Sequence, residues 1–364
     1  MRPDVARRFP LVARQRPICT PLDQRVIDLQ QRAHAARAQR DTAAATAVFN
    51  LAALLASDCG IPDLARTWCH RLAAVALAND HEPQHALEPL VNLARLHIRA
   101  GNGPAAWTLL EELFQAIDIR TDTTIDGITV PAARLTNTPT AHSATRRWLW
   151  TVLLGTGAHA LATAGRWDEA SRRLSHYKGI GTRMLDGRQV NVIAHAMAGR
   201  HQQARAMLSA TQPSEPWEDA VTTCLSLHLP PVGPADVITA ALNAYQALDH
   251  AKPELTVFHL RLGLSVIDAL RHDHPARKQV AANLVHQAAV DGYAARDFLA
   301  HPEHPDIATT RQIQQLTDLV SACGLALGSM PSAHLVTLNS ALDIAESAIA
   351  RQGESRVMGP DSAR

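Results

Sequence analysis

A glycine followed five residues later by an alanine occurs four times in this 364-residue chain, each time between two stretches of helical periodicity. The four pairs are Gly60/Ala65, Gly101/Ala106, Gly165/Ala170 and Gly199/Ala204. Glycine can adopt the left-handed backbone conformation that ends a helix, and a small residue in the next helix lets the two helices approach closely. The pattern therefore predicts four hairpins, each made of two antiparallel helices.

Three further positions around each glycine carry residue types that suit the small core between two helices. Seven residues before the glycine stand Ala53, Ala94, Ala158 and Val192. Four residues before it stand Ala56, His97, Leu161 and His195, and nine residues after it stand Cys69, Leu110, Leu174 and Leu208. We expect the two histidines to be partly buried and hydrogen-bonded rather than catalytic. Arg40-Asp41, followed by Ala45, fits a weaker extra turn of the same kind.

The stretch LGTGAHALATAGRWDEASRRL resembles the tetratricopeptide repeat. Small, apolar, glycine and aromatic residues stand where that repeat has them, at Ala158, Leu161, Gly165, Trp167, Ala170 and Leu174. The resemblance covers roughly residues 42–210 and is degenerate, because the glycine spacings are 41, 64 and 34 and only the last has the repeat's usual length. It implies an all-α fold, a right-handed superhelical array of antiparallel helix pairs. The first helices would line a concave surface that binds protein or peptide, with no catalytic residue and no cofactor.

Proline and glycine positions suggest how the chain is organised. We expect an irregular basic arm at 1–20, helical repeats at 21–212, a proline-rich connection at 213–233, a C-terminal helical region at 234–352 and a disordered polar tail at 353–364. An insertion at 119–138 interrupts the repeats, and its residues 123–130 alternate around Asp126-Gly127, which predicts a short β-hairpin. The predicted helices are 22–40, 42–58, 62–78, 84–100, 103–118, 142–164, 167–178, 183–198, 201–209, 217–228, 234–249, 254–272, 275–299, 308–325 and 332–351.

Composition narrows the classes of function. The formal net charge is +1, so no basic excess predicts direct binding to nucleic acid. No run of eighteen apolar residues predicts a membrane span, and no signal-peptide pattern is present at the start. The five cysteines, Cys19, Cys59, Cys69, Cys224 and Cys323, have no zinc or redox spacing. These features predict a cytoplasmic protein that does not contact membranes, and they leave its oligomeric state open.

Motifs for catalysis are weak. The sequence has no phosphate-binding or nucleophile-elbow motif, and the glycine-rich segment 178–182 follows a helix, which favours an inter-helix turn. Two histidine-rich loops, His272-Asp273-His274 and His301-Pro302-Glu303-His304, carry residue types that bind zinc. An enzyme or accessory subunit with a metal site in these loops is the alternative to a binding protein. Exposed polar loops explain both clusters equally well.

The leading expectation is a non-enzymatic scaffold or adaptor, with a regulator that senses a peptide or ligand as a related possibility. Placing each first helix on the concave surface selects the groove residues Asn50, Asn92, Arg95, Arg99, Arg146, Arg147, His159 and Gln189. Asn92, Arg95 and Arg99 are three and four residues apart, so they share one helix face. Arginine can hold a carboxylate through two parallel hydrogen bonds, which favours a protein or peptide partner with an acidic or carboxylate group.

Overall fold

The computed structural model describes residues 1–79, 82–230 and 235–357, and these residues are mostly helical. The helices before residue 165 are α1 (Pro3–Ala6), α2 (Leu22–Gln39), α3 (Thr42–Asp58), α4 (Pro62–Ala78), α5 (Pro83–Arg99), α6 (Gly103–Ile119), α7 (Ala132–Leu135), α8 (Pro139–Val152) and α9 (Ala158–Thr163). A π-helical turn, Leu153–Gly157, follows α8 directly.

The helices after residue 165 are α10 (Trp167–His176), α11 (Asp186–Met197), α12 (His201–Ser209), α13 (Pro216–Leu227), α14 (Ala235–Gln246), α15 (Thr256–Ala269), α16 (Ala276–Ala288), α17 (Gly292–Leu299), α18 (His304–Ile307), α19 (Thr310–Ala322) and α20 (Ser332–Val357). A 3₁₀ turn, Pro253–Leu255, precedes α15. The expected all-α character is confirmed for the described residues, and α3, α4 and α12 have the predicted bounds.

The four repeat glycines share one turn geometry. Their φ angles lie between +72° and +78°, in the left-handed region. In each turn the amide of the residue after the glycine donates to the carbonyl of the residue four positions before the glycine, at 2.8–3.0 Å. The pairs are Ile61–Ala56, Asn102–His97, Arg166–Leu161 and Arg200–His195. This is the Schellman motif, which satisfies carbonyls that the helix end would otherwise leave unpaired. The four predicted hairpin turns are therefore confirmed.

The weaker extra turn at Arg40-Asp41 follows the same rule. Arg40 has a φ of +54°, and the Asp41 amide donates to the Ala36 carbonyl at 2.9 Å. The side chain of Asp41 then caps α3 by accepting a hydrogen bond from the Ala44 amide at 2.9 Å. This cap compensates for an arginine in a conformation that favours glycine.

The alanines five residues after each glycine are fully buried at the helix contacts; Ala65, Ala106, Ala170 and Ala204 all have no exposed surface. We predict that Ala170→Leu lowers the free energy of unfolding by about 1–3 kcal/mol, because added methylene groups overpack a tight helix crossing. Ala289→Leu is the matched control, since Ala289 is exposed at the end of α16. Urea unfolding of both variants and the wild type measures the difference. Equal stabilities for Ala170→Leu and the wild type would contradict the hairpin packing.

The predicted β-hairpin is confirmed. Strands β1 (Thr123–Ile125) and β2 (Ile128–Val130) pair antiparallel, with Thr123 opposite Val130. Asp126 and Gly127 at the turn have φ angles of +53° and +80°, as a type I′ turn requires. The Asp126 carboxylate also pairs with Arg66 and lies 2.8 Å from His70 Nε2, which ties the turn to α4.

The prediction of one helix over 275–299 is wrong, because the segment forms two helices, α16 and α17. Asp291 begins α17 as its N-cap, and its carboxylate accepts hydrogen bonds from the Tyr293 and Ala294 amides at 2.7 and 3.1 Å. Aspartate followed by glycine is an N-cap signal in the sequence, and periodicity alone does not register it.

The chain forms two compact units, each made of two separate segments. The first unit contains residues 1–21 and 158–323, so the predicted connection at 213–233 lies inside it and contributes α13. Residues 231–233 of that connection lie outside the described residues. The predicted arm at 1–20 is largely irregular, but it packs into this unit, with Val5 and Phe9 fully buried.

The second unit contains residues 22–157 and the segment from Gly324 onward. Helix α20 packs against α2 and α3, and Arg71 of α4 donates to Asp343 at 2.6 Å and also pairs with Glu346. The predicted region 234–352 is thus shared between the two units. Helix α20 continues to Val357, and the rest of the predicted tail, 358–364, lies outside the described residues.

The segment before α20 closes the end of α3. The Ala326 amide donates to the Asp58 carbonyl, and the Gly328 amide donates to the Cys59 carbonyl, both at 2.7 Å. Asp58 is the last residue of α3 and Cys59 is its C-cap, and carbonyls at a helix end lack helical partners. Backbone hydrogen bonds therefore join this segment to the first repeat turn.

Candidate functional site

A chain of hydrogen-bonded side chains connects α3 and α5 in the second unit. Asn50 Nδ2 donates to Glu88 Oε2 at 2.7 Å, Asn92 Nδ2 donates to Asn50 Oδ1 at 2.8 Å, and Arg95 Nη1 donates to Asn92 Oδ1 at 2.7 Å. We name this chain the polar ladder: Glu88, Asn50, Asn92 and Arg95. It joins three of the predicted groove residues.

The local sequence explains why these side chains lie on one face. Glu88, Asn92 and Arg95 are four and three residues apart on α5, which places them along one helical stripe. The other side of α5 is buried through Leu87, Leu90, Val91 and Ala94. Along the ladder the first three members are partly exposed and Arg95 is exposed, so the chain ends in a guanidinium group at the surface.

Arg99 already binds a carboxylate of its own chain. Its Nη1 donates to Asp58 Oδ1 at 2.7 Å and to Ser57 Oγ at 3.0 Å. The Asp58 side chain is fully buried, and Arg25 Nη2 donates to its other oxygen at 2.5 Å. Arginine thus holds a carboxylate here, but the carboxylate is that of Asp58 and not that of a partner protein. The two ion pairs of Asp58 fix α2, α3 and α5 together.

Arg146 and Arg147 lie on α8 and are both exposed. Arg146 pairs with Asp118 of α6, and its guanidinium carbon lies 5.7 Å from the centre of the Phe114 ring. The Arg147 carbonyl accepts a hydrogen bond from the Thr151 hydroxyl at 3.0 Å. These contacts tie Arg146 to α6 and do not include it in the polar ladder.

Gln189 is buried in the first unit and does not lie on a surface groove. Its Nε2 donates to the Leu11 carbonyl at 2.6 Å and to the Met184 carbonyl at 2.9 Å, while its Oε1 accepts from the Leu11 amide at 2.7 Å. This placement corrects the expectation for Gln189, because its amide is fully used in holding the N-terminal segment. Sequence periodicity carries no signal for such a distant backbone partner.

His159 occupies the same position in its hairpin as Arg95, six residues before the glycine. It is half-buried on α9 in the first unit. Burial, followed by the positive charges of Arg261, Arg16 and Arg14, lowers the pKa of His159 to about 4. The imidazole is therefore neutral at pH 7, in surroundings that disfavour added positive charge.

The two histidines at the shared repeat position are both half-buried, as predicted. His195 Nδ1 accepts a hydrogen bond from Arg200 Nε at 2.9 Å, which confirms the expected hydrogen bond for this residue. Burial is the largest cause that lowers the pKa of His195, and the charge of Arg200 lowers it further. The structure thus gives His195 a role in joining α11 to the start of α12.

The histidine-rich loops make contacts within the chain. His301 is buried with its Nε2 3.4 Å from Asp268 Oδ1, and Arg8 also pairs with Asp268. His274 Nδ1 accepts from the Ala276 amide at 3.2 Å, while Arg271 Nε donates to Asp273 at 3.1 Å. Among the described residues, no group of three histidine, cysteine or acidic side chains is placed to hold a metal ion.

Asp268 is the centre of a buried ionic group that the sequence did not indicate. Burial alone would raise the pKa of Asp268, but the nearby His301 imidazole and the charge of Arg8 lower it below its ordinary range. Asp268 lies on α15, and its partners come from the segment after α17 and from the N-terminal segment. The arrangement fixes the N-terminal segment to the first unit.

The described part of the chain holds no helix with the length and apolar character that a bilayer span needs. Among the described residues, the polar ladder joins three of the predicted groove residues, Asn50, Asn92 and Arg95. Neither a protein-family model, nor a curated protein, nor a solved structure matches this chain.

Proposed function

We propose that this protein is a non-enzymatic scaffold that binds a protein or peptide partner through the helix faces carrying the polar ladder. The observation that supports this most directly is the ladder itself, since it joins the first helices of two successive glycine hairpins, α3 and α5. A TPR-like solenoid would place such first helices on its concave surface, as the sequence resemblance implies.

The ladder suits recognition of an acidic or carboxylate group. Consecutive hydrogen bonds polarise one another. In the ladder, Glu88 accepts from Asn50, Asn50 accepts from Asn92 and Asn92 accepts from Arg95, so each acceptor orients the next donor. A side chain held in this way loses little conformational freedom when it binds. A guanidinium group can hold one carboxylate through two parallel hydrogen bonds.

We predict that Arg95→Ala weakens partner binding by at least about tenfold, since a hydrogen bond to a charged group contributes roughly 1.5–3 kcal/mol. The partner is first isolated by co-purification from the native host, and calorimetric titration then compares the variant with the wild type. Arg99 is left unchanged, because its loss would disturb the buried Asp58 and confuse folding with binding.

Arg37→Ala is the control, because Arg37 is an exposed arginine of the same unit on α2. It should bind the partner as the wild type does. Equal affinity of Arg95→Ala and the wild type would remove the ladder from the binding surface. An equal loss in both variants would show that general charge attraction, and not the ladder, carries the binding.

A further inference from the structure

Two cysteines from distant parts of the sequence meet inside the first unit. Cys19 belongs to the N-terminal segment and Cys323 is the C-cap of α19, and both thiols are buried, with 1% and 0% of their residues exposed. The Cys323 Sγ donates a hydrogen bond to the Cys19 carbonyl at 3.3 Å. The two residues are 304 positions apart, a separation at which sequence spacing gives no sign of a pair.

Gly292, the first residue of α17, brings both sulfur atoms to one place. A Cβ atom on Gly292 would lie 2.6 Å from Cys323 Sγ and 3.1 Å from Cys19 Sγ. Because both distances start from the same point, the two sulfur atoms are no more than about 5.7 Å apart. A change of side-chain rotamer moves a cysteine sulfur by up to about 3 Å, and a disulfide brings two sulfurs to about 2 Å. Rotation of the two side chains can therefore close the gap.

The backbone of Cys19 is held at the start of α17. Its amide donates to Asp291 Oδ2 at 3.2 Å, and its carbonyl accepts a hydrogen bond from the Gly292 amide at 2.9 Å. The Asp291 residue is buried and is the N-cap of α17, which packs against α19. The folded chain thus places the Cys19 thiol beside the end of α19, where Cys323 stands.

We propose that Cys19 and Cys323 form a reversible disulfide, which makes this pair an oxidation site that fastens the N-terminal segment to the first unit. Without the bond, noncovalent contacts such as those of Gln189 with the Leu11 backbone hold the segment. With the bond, the segment is covalently attached beside α19 and can no longer separate from it. The pair converts a change in redox conditions into a change in how firmly the segment is attached.

The oxidant in this proposal is a small disulfide such as oxidised glutathione. Residues 14–18 are exposed, so local opening of a short stretch of chain brings the Cys19 thiol to solvent. Its thiolate attacks one sulfur of glutathione disulfide, which breaks that S–S bond and releases one glutathione as a thiol. After the segment closes, Cys323 loses its proton and its sulfur attacks the Cys19 sulfur, so that the second glutathione leaves as a thiol. The two protein thiols lose two protons and two electrons, and glutathione disulfide gains them.

The test is incubation of the folded full chain with mixtures of oxidised and reduced glutathione, followed by blocking of the remaining thiols and digestion with trypsin without a reductant. The tryptic fragments 15–25 and 312–351 contain one cysteine each, Cys19 and Cys323. Mass spectrometry should find these two fragments joined by a disulfide. The number of reactive thiols, counted in denaturant, should fall from five to three, and a reductant should restore all five.

The same mixtures applied to the chain unfolded in urea show whether the fold selects this pair. The joined fragments should be at least about tenfold less abundant there, because 304 residues of flexible chain then separate the two thiols. Equal yields from the folded and the unfolded chain would overturn the proposal, since the fold would then contribute nothing to the bond.

Cys224→Ala is the matched control, because Cys224 is a buried thiol of the same unit on α13. This variant should form the bond as the wild type does, and its thiols should fall from four to two. Cys19→Ala and Cys323→Ala should each keep four thiols in the same mixtures. The wild-type fragments decide the question if either variant fails to fold. Five remaining thiols in the wild type, a bond between a different pair, or attached glutathione without the internal bond would each overturn the proposal.

Discussion

Asp58→Ala should lower the free energy of unfolding by about 3–5 kcal/mol, the usual effect of removing one partner from a buried ion pair. The Asp58 carboxylate is fully buried, and the side chain of Arg25 beside it is only 12% exposed. Without the carboxylate, Arg25 would lose this charged partner while its side chain stays largely away from water. Arg99 would lose the same partner, although at 39% exposure it can recover hydration.

Urea unfolding of Asp58→Ala and of Asp63→Ala measures this effect against a control. Asp63 is exposed in the first turn of α4, where its charge interacts with the helix dipole for about 0.5 kcal/mol. The two substitutions remove the same group from neighbouring hairpin positions. Similar losses in the two variants would show that the buried ion pairs do not hold α2, α3 and α5 together.

Gly187→Ala should destabilise the protein by about 3 kcal/mol, at the upper end of the cost of overpacking. A Cβ atom on Gly187 would lie 2.1 Å from the Gly179 carbonyl oxygen and 2.9 Å from its carbon. Both atoms are backbone, so no side chain can move aside. The Gly179 turn is itself held, because the Gly179 amide donates to the Leu174 carbonyl at 2.8 Å.

Gly181→Ala provides the control within the same turn region. A Cβ atom on Gly181 would meet nothing within 4 Å, and its backbone is not left-handed. Replacing such a glycine reduces the freedom of the unfolded chain, so stability should stay unchanged or rise by about 0.5 kcal/mol. The thermal unfolding midpoint should therefore fall for Gly187→Ala and stay unchanged or rise for Gly181→Ala. A Gly187→Ala variant as stable as the wild type would contradict the close approach.

Local chemistry made much of the fold predictable from the sequence. The glycine turns, the extra turn at Arg40 and the Asp126-Gly127 hairpin each depend on a few adjacent residues, and all three are confirmed. The glycine-rich segment 178–182 is an inter-helix turn, as expected, although Lys178 rather than Gly179 adopts the positive φ. The close approach of the Gly179 carbonyl explains the glycine at position 187, and this contact lies outside any local pattern.

The candidate site was predictable only where residues share a helix or belong to neighbouring repeats. The hairpin register brought Asn50, Asn92 and Arg95 to one face, and the structure joins them by hydrogen bonds. The same register could not show that Gln189 binds the backbone of Leu11, 178 residues earlier. Contacts between residues so far apart in the sequence depend on how the segments pack. A periodic pattern specifies which face of a helix is buried, but it does not specify which segment covers that face.

The position of α20 sets an order of events during protein synthesis. Helices α2 and α3 leave the ribosome early, while the helix that covers them begins at Ser332, about 300 residues after Leu22. At roughly 5–20 residues per second, this interval lasts about 15–60 s. Throughout that time the faces of α2 and α3 that pack on α20 are open to water and to other nascent chains. Any chain released before residue 332 would keep those faces uncovered.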